Sequence, residues 1–302
     1  MVAPAADPPA VHPATEIFAT RWPVATWLPA AVALIVFVVL FASPMGTLFH
    51  DWMTDDDANY GLLLFPVALW LAWRAGVRAD ARPNIAGGTA ILFGAVVVRV
   101  LGSLAAEFFS QRFAIWLALV GLVVFSCGWR QVRHWWLPLI LLFLSIPLPA
   151  LIINYLAIPL QFRASRLGTA MIQWRHIPVR THGNVIELPN AILFVAEACS
   201  GLRSLSALIA LGVLIGGLYL RTGLARLGLI LSVIPVAVFL NGVRIFLTAF
   251  LVYFVDPDLG QGAAHERQGM VMFVAAFAAL GALAAVIKFI ESGYFRWRAA
   301  DA

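Results

Sequence analysis

The sequence predicts an all-α polytopic integral membrane protein of about eight transmembrane helices, on three observations. Hydrophobic residues make up 62% of the 302 residues and charged residues only 12%, a balance no soluble globule carries. Apolar runs recur near the ~20-residue length needed to cross hydrocarbon. Basic residues outnumber acidic ones 20 to 15, yet they punctuate the apolar runs instead of clustering on a solvated face. That pattern reads as membrane topology and argues against nucleic acid as a partner.

In chain order, residues 1–22 are rich in Pro and Ala with few bulky apolars, and are expected to be a disordered tail. Spanning candidates follow over 24–42, 59–73, 85–105, 113–128, 135–153, 199–220, 227–254 and 268–289. The first exceeds a typical signal-peptide core and reads as a retained helix. Together they make one membrane domain over 23–290, with a cytoplasmic tail over 291–302. No internal repeat and no second domain is visible.

Charge orients the spans. Arg21, then Arg74, Arg78 and Arg82, then Arg130 and Arg133, then Arg221 and Arg226, and finally Lys288, Arg296 and Arg298 fall on one side. Asp51 and Asp55 to Asp57, then Glu107 with Arg112, then Asp256, Asp258, Glu266 and Arg267 fall on the other. The positive-inside rule puts both termini in the cytoplasm. The insert over 154–195, before helix six, is expected outside although it holds Arg163, Arg166, Arg175 and Arg180. Asn154 to Trp174 has apolar and basic residues at helical spacing, as an interfacial amphipathic helix would. Residues 182–195 read as two short extended pieces around Pro189-Asn190, and the whole insert as a lid.

Two cysteines do not make a disulfide scaffold. Cys127 lies in an apolar run and reads as packing. Cys199 opens helix six within Glu197-Ala198-Cys199-Ser200-Gly201-Leu202-Arg203-Ser204-Leu205. On this topology it shares a membrane depth with Arg244, in the outer half of helix seven within Asn241-Gly242-Val243-Arg244, and with His265, in the outer loop before helix eight. A helix N-terminus and a nearby cation lower a thiol pKa. Histidine can carry the proton, and arginine can stabilise an oxyanion. Each residue also has a plainer reading. Cys199 could be structural, Arg244 could pair with Glu197 or Asp256, and His265 could be a surface residue with His176 and His182 as rival bases. Arg203 could bind substrate or pair with Glu197. An ionisable residue inside a span is costly, so Arg244 is the hardest to set aside. No metal cluster, phosphate-binding glycine loop or nucleotide motif stands in the sequence, so no cofactor and no metal is expected.

The stretch Gly183-Asn184-Val185-Ile186-Glu187-Leu188-Pro189, the Cys199 motif, Asn241-Gly242-Val243-Arg244 and His265 ahead of Gly269 together resemble the exosortase/archaeosortase family of membrane-embedded cysteine proteases and transpeptidases. The likeness covers about residues 140 to 290 by motif, and the first two helices by hydropathy alone. It implies an enzyme, associated with exopolysaccharide systems, that sorts secreted proteins bearing a C-terminal motif (Pro-Glu-Pro in the largest group), a transmembrane helix and a basic cluster. It also implies Cys199 as nucleophile, Arg244 as catalytic arginine and His265 as third member; Arg203, Glu197 and Asn241, which lie in the same motifs, are candidate substrate-binding or supporting residues. Archaeal relatives carry Arg at the third place, so His265 points to the bacterial branch, in the inner membrane with the site on the periplasmic face. The acceptor of the cleaved chain is left open. A transporter or flippase using Arg99, Arg203 and Arg244, or a thiol acyltransferase acting on lipid-linked saccharides, are the rival readings.

Overall fold

The structure, a computed structural model, describes residues 24–183, 185–194, 203–260 and 262–300. Contacts divide the chain into two units, one ending at Ser43 and the other beginning at Pro44. The helices are α1 (Val24–Thr54), α2 (Tyr60–Ala75), α3 (Ile85–Leu104), α4 (Phe108–Cys127), α5 (Trp129–His134), α6 (Trp136–Leu144) and α7 (Ala150–Trp174). Strands β1 (Arg180–His182), β2 (Val185–Leu188) and β3 (Ala191–Phe194) follow. Then come α8 (Arg203–Tyr219), α9 (Gly223–Phe254), a 3-10 turn (Pro257–Gly260) and α10 (Gly262–Ala300). Among the described residues, Ile35–Thr54, Ile85–Leu104, Phe108–Cys127, Gly223–Phe254 and Arg267–Tyr294 are long and apolar enough to cross a membrane, while Tyr60–Ala75 and Leu205–Tyr219 are shorter apolar helices. The chain is a helical, multi-pass membrane protein.

Several boundaries differ from the sequence expectation. The span expected over 135–153 is not one helix. α6 holds nine residues, about 13 Å at 1.5 Å per residue, and the chain leaves helical geometry over 145–149 before α7 begins. Pro147 and Pro149 cause the break, because proline disfavours the helical conformation of the residue before it and donates no N–H. α1 continues past 42 to Thr54, and α10 runs from Gly262 to Ala300 instead of 268–289. Hydropathy marks where a helix meets hydrocarbon, whereas backbone hydrogen bonding carries the helix beyond it. The expected tail over 1–22 lies outside the described residues.

Contacts sort the ends of the helices of the second unit into two sets. At one end Trp52 Nε1 donates to the Ser145 carbonyl at 2.8 Å, and Asp51 pairs with Arg112 at 2.7 Å. Gly61 lies against both the Trp52 indole and the Ser145 carbonyl. At the other end the buried Gln131 side chain donates to Gly76 O at 3.1 Å and accepts from Arg78 N at 3.0 Å. There too Arg226 sits 4.7 Å over the Trp136 ring, and Glu291 accepts from the backbone N–H groups of Arg221 and Thr222 at 3.0 and 2.6 Å. The arginine-bearing loops therefore gather at one end and Asp51 at the other, as charge alternation predicts.

The three strands form an antiparallel sheet in the order β1-β2-β3, with Leu188 opposite Ala191 across the Pro189-Asn190 turn. This matches the two extended pieces expected around that turn, with β1 added. Ile186 and Leu188 alternate inward to join Ala164 and Ile172 of α7 and Ile245, Ala249 and Val252 of α9. Asn190 Nδ2 donates to Val252 O at 2.8 Å, which ties the turn to the C-terminal half of α9. On α7, positions 164, 165, 168, 169 and 172 are buried while Arg163 and Arg166 are exposed, the stripe expected of an amphipathic helix.

Candidate active site

The site begins with a close helix crossing. Gly168 of α7 faces α9 so tightly that a Cβ there would lie 2.7 Å from Ile245 Cγ2 and 3.0 Å from the Gly242 carbonyl. A Cβ on Gly242 would in turn lie 2.8 Å from Leu167 Cδ2. Small residues on facing helices let backbones approach and gain dispersion contacts, the main source of helix association in lipid. The crossing fixes the turn Asn241-Gly242-Val243-Arg244 against α7.

Arg244 points away from that crossing toward α10. The residue is only 7% exposed. A guanidinium does not deprotonate in proteins, so the charge persists in a poorly hydrated place, and such charges are costly unless used. Gly269 supplies its floor. A Cβ at 269 would lie 3.2 Å from Arg244 Nη2, 3.4 Å from Cζ and 3.5 Å from Nη1, so the flat face of the guanidinium rests on the α10 backbone. One turn beyond Arg244, the buried Thr248 hydroxyl donates to Gln268 Oε1 at 2.7 Å, joining the two helices beside the cation.

A cavity of about 30 Å³ opens here, lined by Asn241, Arg244 and Gly269 on its polar side and by Leu208, Leu240 and Met272 among its apolar wall. It has room for a water molecule or one small group. Asn241 Oδ1 is buried with no hydrogen-bond partner among the described residues. A cation and a buried acceptor thus face one small space, able to hold a polar group that carries both negative charge and an N–H or O–H.

Of the residues singled out in the sequence, Asn241 and Arg244 come together at this cavity. Cys199 and Glu197 lie outside the described residues, and Arg203 is the first residue of α8. His265 is a correction, since it sits within α10 and not in a loop before it. Ala263, Ala264, Glu266, Arg267 and Gln268 around it favour helix intrinsically, so the helix forms before the apolar run starts. Of the rival bases, His176 follows α7 with a left-handed φ of 57°, and His182 lies exposed on β1 opposite Val185. Thr248, Gln268 and Gly168 carry structure that sequence reading missed. A hydroxyl four residues after an intramembrane arginine was the available signal for the first of them.

An α-helical membrane protein with a buried cation and an open acceptor between two spans defines the class. Residues 52–282 match the family model of the transmembrane exosortases (Exosortase_EpsH), and the chain belongs to that family. No curated protein and no solved structure matches the chain. Membership implies a membrane-embedded sorting and processing enzyme.

Proposed function

We propose that the protein is a cysteine protease and transpeptidase of the inner membrane that cleaves secreted proteins at a C-terminal sorting signal on the periplasmic side. The observation that carries this reading is the buried Arg244 guanidinium, seated on Gly269 beside a small cavity between the helices that hold Arg244 and His265. Leu208, nine residues after Cys199, lines the same cavity. Cys199 stands five residues after Phe194 and four before Arg203, between two elements that pack beside α9. His265 precedes Gly269 by four residues, one turn along the same face of α10.

In this reading Cys199 transfers its proton to His265 and its thiolate attacks the scissile carbonyl carbon. Arg244 stabilises the oxyanion, and Asn241 Oδ1 accepts an N–H of the substrate. The C–N bond then breaks as His265 returns the proton to the leaving amine, and a thioester remains on Cys199. Water or an acceptor amine or hydroxyl attacks that thioester, passes its proton to His265, and releases the thiol. Arg203 and Glu197 flank the nucleophile as supporting groups, and residues 154–195 act as the lid that limits water.

The test is co-expression of the full chain with a secreted protein bearing a C-terminal motif, one transmembrane helix and a basic cluster. The expected result is a hydroxylamine-sensitive adduct on Cys199 with a shortened substrate, both lost in Cys199→Ala. Arg244→Lys loses the planar donor fork, and processing should slow about 10²–10³-fold. Substrate shortened by Cys199→Ala at the wild-type rate would sink the proposal; a transporter reading predicts instead no shortened substrate from either form.

A further inference from the structure

The seam between α9 and α10 carries three groups that no step of the transfer uses. A Cβ built on Gly269 would lie within 3.5 Å of Nη1, Nη2 and Cζ of Arg244. Thr248, 2% exposed, donates to Gln268 Oε1 at 2.7 Å. Thr248 is one turn from Arg244 on α9, and Gln268 adjoins Gly269 on α10. The same two helices are therefore pinned by a hydrogen bond and held in face contact by a side chain, within one turn of each other.

We infer that Gly269, Thr248 and Gln268 are positioning residues for Arg244, an inference resting on the proposed function. Gly269 gives the guanidinium a flat seat, so the plane of its donors is set by the α10 backbone. A methyl in that seat is tighter than ordinary contact and displaces the cation by a few tenths of an ångström. The Thr248–Gln268 bond sets the rotation of α10 against α9. Without that bond nothing ties the half-buried Gln268 to the buried Thr248, and α10 is free to turn against α9. Gly269 then leaves its place beneath the guanidinium.

The experiment reads the acidity of Cys199, which needs no substrate. The full chain carrying Cys127→Ser is purified in detergent, and the rate of Cys199 alkylation by iodoacetamide is followed against pH. A neighbouring cation lowers a thiol pKa, so Arg244→Gln should raise the midpoint, with each pH unit giving about tenfold less thiolate below it. Gly269→Ala and Thr248→Val should raise it in the same direction by a smaller step, and Thr248→Ser should restore it. Gly269→Ala gains helix propensity but crowds the guanidinium, so melting of both variants in detergent is read alongside the midpoint to separate a moved cation from unfolding. A midpoint moved by Arg244→Gln but unmoved by both Gly269→Ala and Thr248→Val overturns the positioning roles and leaves the proposed function standing. A midpoint unmoved by Arg244→Gln overturns the pairing of Arg244 with Cys199, and the positioning roles with it.

Discussion

Asp51 and Arg112 show what one residue pair contributes away from the active site. Their oxygens and nitrogens approach to 2.7 Å, with the arginine side chain 6% exposed and the aspartate 32%. Arg112 also lies 5.6 Å over the Phe108 ring. Removing the carboxylate strands a buried cation, so Asp51→Ala should cost about 2 kcal/mol, below the full buried-pair figure because Asp51 is partly wet. Denaturant unfolding in detergent checks this, and Arg112→Met added to Asp51→Ala should recover part of the loss. Glu107 works differently, as the cap of α4. Burial pushes its pKa up, but the Ser110 and Phe109 donors, at 2.6 and 2.9 Å to its carboxylate, and the Arg112 charge together hold it below the usual value near 4.5. A depressed carboxylate pKa stabilises the fold above the unfolded value, and that stability disappears as pH falls through the folded one. Glu107→Ala should therefore cost about 1 kcal/mol at neutral pH, with the gap in melting temperature from wild type closing below about pH 4. Chemically distinctive single residues were legible in the sequence. Arg244 stood out because charge is rare in a span, and Cys199, singled out as a thiol inside a polar motif, lies outside the described residues. Thr248, Gln268 and Gly269 were not legible, since their contacts exist only where the faces of two consecutive helices meet.

Elements were read well where length and apolarity decide the outcome. α3, α4 and α9 span close to the expected limits because each is a long, predominantly apolar run between polar loops, broken only by single polar positions. The fifth span failed because Pro147-Leu148-Pro149 preserves hydropathy while breaking the helix, so a window average passes over the very residues that end it. The amphipathic reading of α7 succeeded in pattern, but the partner of its buried stripe could not be read from sequence. That partner is α9, and the crossing depends on Gly168. Gly168→Val must push α9 away from α7, an overpacking cost of about 1–3 kcal/mol, and it acts on the turn that holds Asn241 and Arg244. The change should lower both thermal stability in detergent and substrate processing. Gly281→Ala in α10 is the control, since nothing lies within 4 Å of its added methyl, and it should leave both unchanged or raise stability slightly. Equal effects from the two substitutions would mean that helix propensity, and not the crossing, governs the result.

For the whole molecule, charge alternation and contact geometry make the same division by independent routes. Gln131, Gly76 and Arg78 meet at one end and Trp52, Gly61 and Ser145 at the other, although the sequence rule used charge alone. α9 links the site to this division. Its first turn adjoins Arg221 and Thr222 at the arginine-rich end, and 21 residues separate Gly223 from Arg244. At 1.5 Å per residue that is about 32 Å, so Arg244 lies far along α9 from the arginine-rich end. The sheet bound to Val252 belongs with it, despite Arg175 and Arg180 on the adjoining chain. This is where the charge rule and the packing disagree, and the packing should win, because long segments translocate largely regardless of charge. Single cysteines at Asp56, Ala79 and His182, in a chain carrying Cys127→Ser and Cys199→Ser, decide the matter with a membrane-impermeant maleimide on intact spheroplasts. Asp56→Cys and His182→Cys should label from outside, and Ala79→Cys only after permeabilisation. Labelling of His182→Cys together with Ala79→Cys, and apart from Asp56→Cys, would put the sheet and the Arg244 end of α9 on the cytoplasmic side. An enzyme for secreted substrates could not work from there, so that single pattern would remove the periplasmic site along with the topology.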